Sequence, residues 1–198
     1  VPAGEGTADG DPATLDLVET KSPSLGAADT IHGDDGSDIA LGGTGGDTIF
    51  GDFYRNGGGA LVSALAAGSD ILFGDGGRLR FQGGLPALLR STDEASGGAD
   101  LIEGNERGDV IVGGAFGDRL WGESQNLALM IAGQAGADII LGDNGELNWV
   151  LASDTVTGRQ PGLLQVPLDA GVTTLDRIST TAPTIGGSDE IRGNGAAD

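Results

Sequence analysis

GDDGSDIALGGTGGDTIFGD, residues 33–52, contains the pattern that decides the fold. It holds two nine-residue blocks, GDDGSDIAL (33–41) and GGTGGDTIF (42–50). In each, a glycine-rich stretch ends on an aspartate, and an apolar residue follows two positions later. The spacing extends outward. Asp29, Asp38 and Asp47 lie nine apart, as do Asp100, Asp109 and Asp118, and GGAFGDRLW (113–121) repeats the block. Asp70, Asp138 and Asp189 close interrupted copies of the same turn, and Asp198, nine beyond Asp189, closes GNGAAD (193–198). A Gly-Gly-x-Gly-x-Asp turn followed by x-apolar-x is the signature of very short strands wound as a parallel β-helix.

Side chains alternate along a strand. The apolar residue two beyond each aspartate is therefore expected to face inward: Ile31, Ala40, Ile49, Leu72, Ile102, Ile111, Leu120, Ile140 and Ile191. Flanking residues such as Ile71, Phe73, Val110 and Val112 are also apolar, so the outer face needs a cover. Every interruption falls inside a turn. The insertions span 52–68, 75–97, 123–136 and 143–186, within a repeat region of 29–198; residues 1–28 read as a linker and the end of an earlier insertion. ALVSALAA (60–67) and QNLALMIAG (125–133) read as short helices, RLRFQGGLPALLR (78–90) as a hairpin or flap, and ELNWVLA (146–152) as an alternating segment. A longer period is visible too. LDLVETKSPSLGAADTIHG (15–33) aligns with LDRISTTAPTIGGSDEIRG (175–193) at an offset of 160. The chain thus reads as about one unit of a tandem array and part of something longer.

Composition limits the alternatives. Glycine supplies 39 of 198 residues, against a usual ~7%, with no Gly-X-Y period. Aromatic residues make up only 4%, so the expected core is stacked Ile, Leu and Val. The formal charge of −20 disfavours nucleic acid and anionic membrane surfaces. Cysteine is absent, which excludes disulfides and thiolate metal sites. No apolar run approaches the ~18 residues of a membrane span. Acids that recur at fixed turn positions need a counter-ion, and hard carboxylate and carbonyl oxygens suit Ca²⁺.

These repeats resemble those of the RTX (repeats-in-toxin, haemolysin-type) calcium-binding proteins over the regular parts of residues 25–198. The resemblance implies an all-β fold, a right-handed parallel β-roll (a solenoid of short strands) with helical and hairpin insertions in its turns. It implies stacking of Asp29 on Asp47, Asp38 on Asp70, Asp47 on Asp100, Asp70 on Asp109, Asp100 on Asp118, Asp109 on Asp138, Asp118 on Asp189 and Asp138 on Asp198. About eight Ca²⁺ ions would lie between stacked turns, each taking six or more oxygens. Carbonyl donors carried over from the family motif are those of Gly33, Asp34, Asp35 and Gly36; Gly42, Gly43, Thr44 and Gly45; Gly104, Asn105, Glu106 and Arg107; and Gly113, Gly114, Ala115 and Phe116. Arg107 and Phe116 depart from the motif, standing where it has Gly. The side chains of the further acids Asp34, Asp35, Asp52, Asp75 and Asp143 are expected to be solvated rather than to add ligands. One isolated Gly-x-Asp is usually only a turn; the weight here rests on the series.

The resulting expectation is a calcium-binding structural repeat of a secreted, cell-surface bacterial protein. Such a module would fold on meeting extracellular calcium after type I secretion, and would stack with neighbouring repeats or identical subunits into a stalk, fibre or surface layer. The alternative is the calcium-dependent C-terminal domain of an RTX toxin or extracellular enzyme whose catalytic domain lies elsewhere. The chain has a single histidine, no HExxH and no Gly-x-Ser-x-Gly, so an active site within it is not expected. A glycan or protein ligand for the insertions has no signal in their residues.

Overall fold

Two left-handed turn positions set the local structure. Among the described residues, the second residue of each uninterrupted turn has positive φ: Asp34 (74°), Gly43 (95°), Asn105 (80°) and Gly114 (116°). So does the fourth: Gly36 (113°), Gly45 (145°), Arg107 (73°) and Phe116 (76°). Glycine enters this region without steric cost, which explains the glycine pattern. The two bends return the chain to an extended path, and a three-residue strand follows.

The computed structural model describes residues 14–55, 60–63, 66–82, 84–126, 128, 135–149 and 175–193. Their strands are β1 (Leu17–Glu19), β2 (Thr30–His32), β3 (Ile39–Leu41), β4 (Thr48–Phe50), β5 (Phe53–Arg55), β6 (Leu61–Ser63), β7 (Ile71–Phe73) and β8 (Gly77–Gln82). They continue with β9 (Leu85–Ser91), β10 (Leu101–Glu103), β11 (Val110–Gly114), β12 (Arg119–Trp121), β13 (Ile139–Asp143), β14 (Gly145–Asn148), β15 (Arg177–Thr180) and β16 (Glu190–Arg192). No helix occurs among the described residues, hence none long and apolar enough to cross a membrane.

The chain divides into two compact units. In the larger, the repeat strands form two parallel sheets, ordered β16-β12-β10-β4-β2 and β13-β11-β7-β3. Registers keep equivalent residues abreast: Ile31, Ile49, Ile102, Leu120 and Ile191 in one sheet, and Ala40, Leu72, Ile111 and Ile140 in the other. Ala40, Ile49, Leu72, Ile102, Ile111 and Leu120 make one buried cluster, against which Ile31 and Ile140 pack. Each fully buried Ile or Leu contributes about 1.5–3 kcal/mol. Ile191 differs, with 47% of its surface exposed, because β16 is an edge strand. On the opposite side of the strands, the third residues Phe50, Phe73, Val112, Trp121 and Leu141 are buried, so the outer face is covered as its apolar character requires.

The smaller unit is built around a five-stranded sheet, β1-β8-β9-β14-β15. Its β1–β8 and β9–β14 pairings are antiparallel. Leu79, Phe81, Ala87, Leu88, Leu89 and Leu147 are its buried residues.

The expected all-β character holds, but the expected architecture needs correction. The strands do not form one right-handed parallel β-roll. Among the strands of the described residues, parallel pairing runs in two sheets that do not close into a solenoid, and seven strands lie in antiparallel or separate sheets. Long insertions carry their own apolar alternation and backbone donors, and neighbouring segments satisfy these most simply by antiparallel pairing. The helix expected over 60–67 is also overturned. Residues Leu61–Ser63 pair antiparallel with Phe53–Arg55. Two helical turns are too short to stand alone, whereas this pairing saturates the backbone beside the buried Phe53. The hairpin expected over 78–90 is β8–β9. Most of 125–133 and of 143–186 lies outside the described residues, as do Asp198 and residues 1–13.

Candidate cation-binding ladder

The aspartate at the end of each turn is held from two directions. Its backbone N–H donates to Oδ1 of the aspartate on the next rung. These bonds run Asp29 to Asp47 (2.7 Å), Asp38 to Asp70 (2.8 Å), Asp47 to Asp100 (2.7 Å), Asp70 to Asp109 (2.8 Å), Asp100 to Asp118 (2.9 Å), Asp109 to Asp138 (2.9 Å) and Asp118 to Asp189 (3.0 Å). In return, its carbonyl accepts the N–H of the residue after that next aspartate, as Asp70 O does from Val110 and Asp109 O from Ile139. Seven of the eight expected stackings are thus present, and the eighth involves Asp198, outside the described residues. The insertions leave the register of Asp70, Asp138 and Asp189 intact.

The bond to Oδ1, which Asp38 at the start of its ladder lacks among the described residues, leaves a second oxygen. Oδ2 of Asp38, Asp47, Asp70, Asp100, Asp109 and Asp118 is buried and accepts no hydrogen bond. Each lies beside the glycine that closes an earlier strand, together with the carbonyl oxygen of the glycine stacked on it. At Gly33 the pair is Asp38 Oδ2 with Gly51 O; at Gly42, Asp47 Oδ2 with Gly74 O; at Gly51, Asp70 Oδ2 with Gly104 O. At Gly74 it is Asp100 Oδ2 with Gly113 O; at Gly104, Asp109 Oδ2 with Gly122 O; at Gly113, Asp118 Oδ2 with Gly142 O. A Cβ at any of these glycines would come within 3.0 Å of both oxygens. With a seventh at Gly122, between Asp138 Oδ2 and Gly193 O, such oxygen-lined cradles repeat along the two parallel sheets. No group of three acidic or imidazole side chains converges on one point among the described residues, so each cradle combines carboxylate with backbone oxygen.

Burial pushes these carboxyls well above the ordinary carboxylate range, and neighbouring carboxylates on the ladder add to the effect. Asp70 and Asp118 rise to about 7, Asp100 to about 8 and Asp109 to about 10; Asp38 and Asp47 are also raised. For each of those but Asp38, the N–H on Oδ1 acts in the opposite direction and does not offset the loss of water. A carboxylate with one satisfied and one bare oxygen, in company with like charges, fits a bound hard cation.

The remaining candidates divide clearly. Asp29 and Asp189 are the two ends of one ladder, and Asp29 is exposed. Gly33, Gly42, Gly104 and Gly113 line cradles, and Gly43 N–H donates to Gly74 O (3.0 Å). Gly36, Gly45 and Gly114 serve the bends. Arg107 and Phe116 are exposed and hold the left-handed conformation without a glycine. Thr44 Oγ1 donates to Pro23 O (2.7 Å). Asn105 accepts the Asp52 N–H through Oδ1 (3.2 Å), and the buried Glu106 donates its N–H to Asp52 Oδ2 (3.1 Å). Ala115 N–H donates to Asp75 Oδ2. Asp34 and Asp35 face solvent, Asp35 accepting the Ala66 N–H (3.1 Å).

Two groups of residues were not expected. The carbonyls of Gly51, Gly74, Gly122 and Gly142 line cradles; the signal was the glycine four positions beyond each aspartate. Asp52 and Asp75 are buried rather than solvated, and burial lifts both to about 7. Asp52, Asp75 and Asp143 open three of the insertions. Through Oδ1 each accepts the N–H of the residue two before the aspartate that closes it: Gly68 (2.8 Å), Gly98 (2.9 Å) and Gly187 (3.0 Å). The Gly-Asp at the mouth of each of these insertions is thus a clasp that returns the chain to the ladder.

No protein-family model, curated protein or solved structure matches this chain.

Proposed function

We propose that the chain is a calcium-dependent structural repeat of a secreted, cell-surface bacterial protein, as its resemblance to RTX repeats implies. The observation that carries this reading is the division of labour in the ladder carboxylates: Oδ2 is buried beside a glycine carbonyl with no donor, while Oδ1, in all but Asp38, holds the neighbouring rung. Calcium would supply the positive charge that lets these carboxylates stay ionised. Asp38, Asp47, Asp70, Asp100, Asp109 and Asp118 would hold it, with the carbonyls of Gly51, Gly74, Gly104, Gly113, Gly122 and Gly142. Zinc and copper favour nitrogen and sulfur ligands, which these cradles lack.

Metal binding is then folding free energy, because the cradles exist only in the stacked state. Low calcium inside a cell would leave the chain unfolded and fit for export, and extracellular calcium would set it. Stacking with further units into a stalk, fibre or surface layer follows from the 160-residue internal repeat.

The test is a calcium titration of the chelator-treated chain, followed by far-UV circular dichroism and calorimetry, with magnesium as control. The expected result is a cooperative gain of β signal with calcium alone and a stoichiometry of about six to eight ions. A chain fully folded in chelator that takes up no calcium would sink the proposal.

A further inference from the structure

Each of the three large sheets starts on one strand and advances by four. The smaller unit's sheet runs β1, β8, β9, β14 and then β15; one parallel sheet runs β2, β4, β10, β12 and then β16. The other runs β3, β7, β11 and β13. The 160-residue offset carries Leu17–Glu19 onto 177–179 in β15, and Thr30–His32 onto Glu190–Arg192, which is β16. In two sheets, then, the last strand is the sequence counterpart of the first.

The apolar surface is distributed accordingly. Seven large apolar side chains are exposed among the described residues. Ile178 (48%) lies on β15 and Ile191 (47%) on β16, while Leu15, Leu25 and Ile39 lie in or lead into β1, β2 and β3. The hydrogen bonds have a direction as well. Along the parallel sheet every aspartate N–H donates toward the β16 end, so Asp29 presents a carboxylate without a donor and Asp189 an N–H without an acceptor, among the described residues. One end needs what the other offers, which is head-to-tail complementarity.

We infer that the outer edges of β15 and β16 are docking edges for a sister copy of this 160-residue unit, continuing each sheet in the register seen here. On β16 sits the sister's counterpart of β4, as β4 sits on β2 (Ile31↔Ile49). On β15 sits its counterpart of β8, as β8 sits on β1 (Val18↔Leu79). Asp189 N–H donates to the sister's counterpart of Asp47 Oδ1. Each sheet gains four strands per unit, a rise of about 19 Å at ~4.8 Å per strand. This rests on the stacking part of the proposed function, but not on calcium.

The experiment extends the full chain by joining a second copy of residues 34–193 after Gly193, and compares it with the parent in calcium and in chelator. Small-angle X-ray scattering is expected to show a rigid particle rather than a flexibly linked pair, with one unfolding transition at a higher denaturant midpoint. Ile191→Lys is expected to leave the parent's midpoint within error and to lower that of the extended chain markedly, since only there is Ile191 covered. Two independent transitions, a flexibly linked pair, a second unit that stays unfolded, or an equal effect of Ile191→Lys in both chains overturns the inference. Calcium stoichiometry on the parent separates the two readings. Binding without stacking defeats only this inference; stacking without binding defeats only the calcium role.

Discussion

Asp109→Asn is expected to change sign with calcium. The side chain is 1% exposed; Oδ1 accepts the Asp70 N–H at 2.8 Å, and Oδ2 lies bare beside Gly104 and Gly122 O. Burial, with Asp70, Asp138 and Asp52 nearby, pushes the carboxyl to about 10. An unfolded aspartate ionises near 3.9, and one pKa unit corresponds to about 1.4 kcal/mol. Without metal at pH 8, keeping this group protonated in the fold costs up to about 5–6 kcal/mol, and at pH 5 only about 1.5 kcal/mol. Asparagine keeps the acceptor for Asp70 N–H, offers an amide to the carbonyl and carries no charge. In chelator, urea denaturation is therefore expected to show the variant more stable than the parent, several kcal/mol at pH 8 and about 1 kcal/mol at pH 5. In saturating calcium the order reverses, because the variant has lost an anionic ligand. If the parent is unfolded in chelator, the variant is the one that gains structure there, and it needs more calcium for its final increment. A variant less stable than the parent in chelator at both pH values, with unchanged calcium response, refutes the premise that Asp109 is a costly buried carboxyl awaiting a cation.

The whole ladder predicts the pH response of the metal-free chain. Folded pKa values above the unfolded ones mean that the folded state binds more protons, so stability falls as pH rises from about 4 through 7–8. Urea midpoints in chelator are expected to be higher at pH 5 than at pH 8, with most of the difference removed by calcium. Gly51→Ala places a methyl against Asp70 Oδ2 and Gly104 O; a loss of about 2 kcal/mol or more and one fewer bound calcium by calorimetry are expected. Phe116→Gly relieves a left-handed residue whose ring is 53% exposed, so thermal or urea unfolding should show a gain of about 1 kcal/mol.

Part of this molecule was legible in one dimension. The nine-residue spacing identifies the inward residues Ile49, Leu72, Ile102, Ile111 and Leu120 and the stacked aspartates, because a fixed number of residues per rung brings equal positions into register. The insertions were less legible. A short apolar run such as ALVSALAA fits either helix or strand, and its pairing with Phe53–Arg55 lies in tertiary contact rather than in its own residues. The same is true of the five-stranded antiparallel sheet, whose strands come from segments as distant as Leu17–Glu19 and Arg177–Thr180. Burial is the other quantity the spacing does not carry. Asp52 and Asp35 are both turn acids next to glycine, yet one is enclosed and the other solvated, since exposure depends on which neighbouring rungs close over the carboxylate. The repeat determined which atoms recur; three-dimensional packing decided which of their oxygens lost water, and the cost of that lost water is the case for a cation.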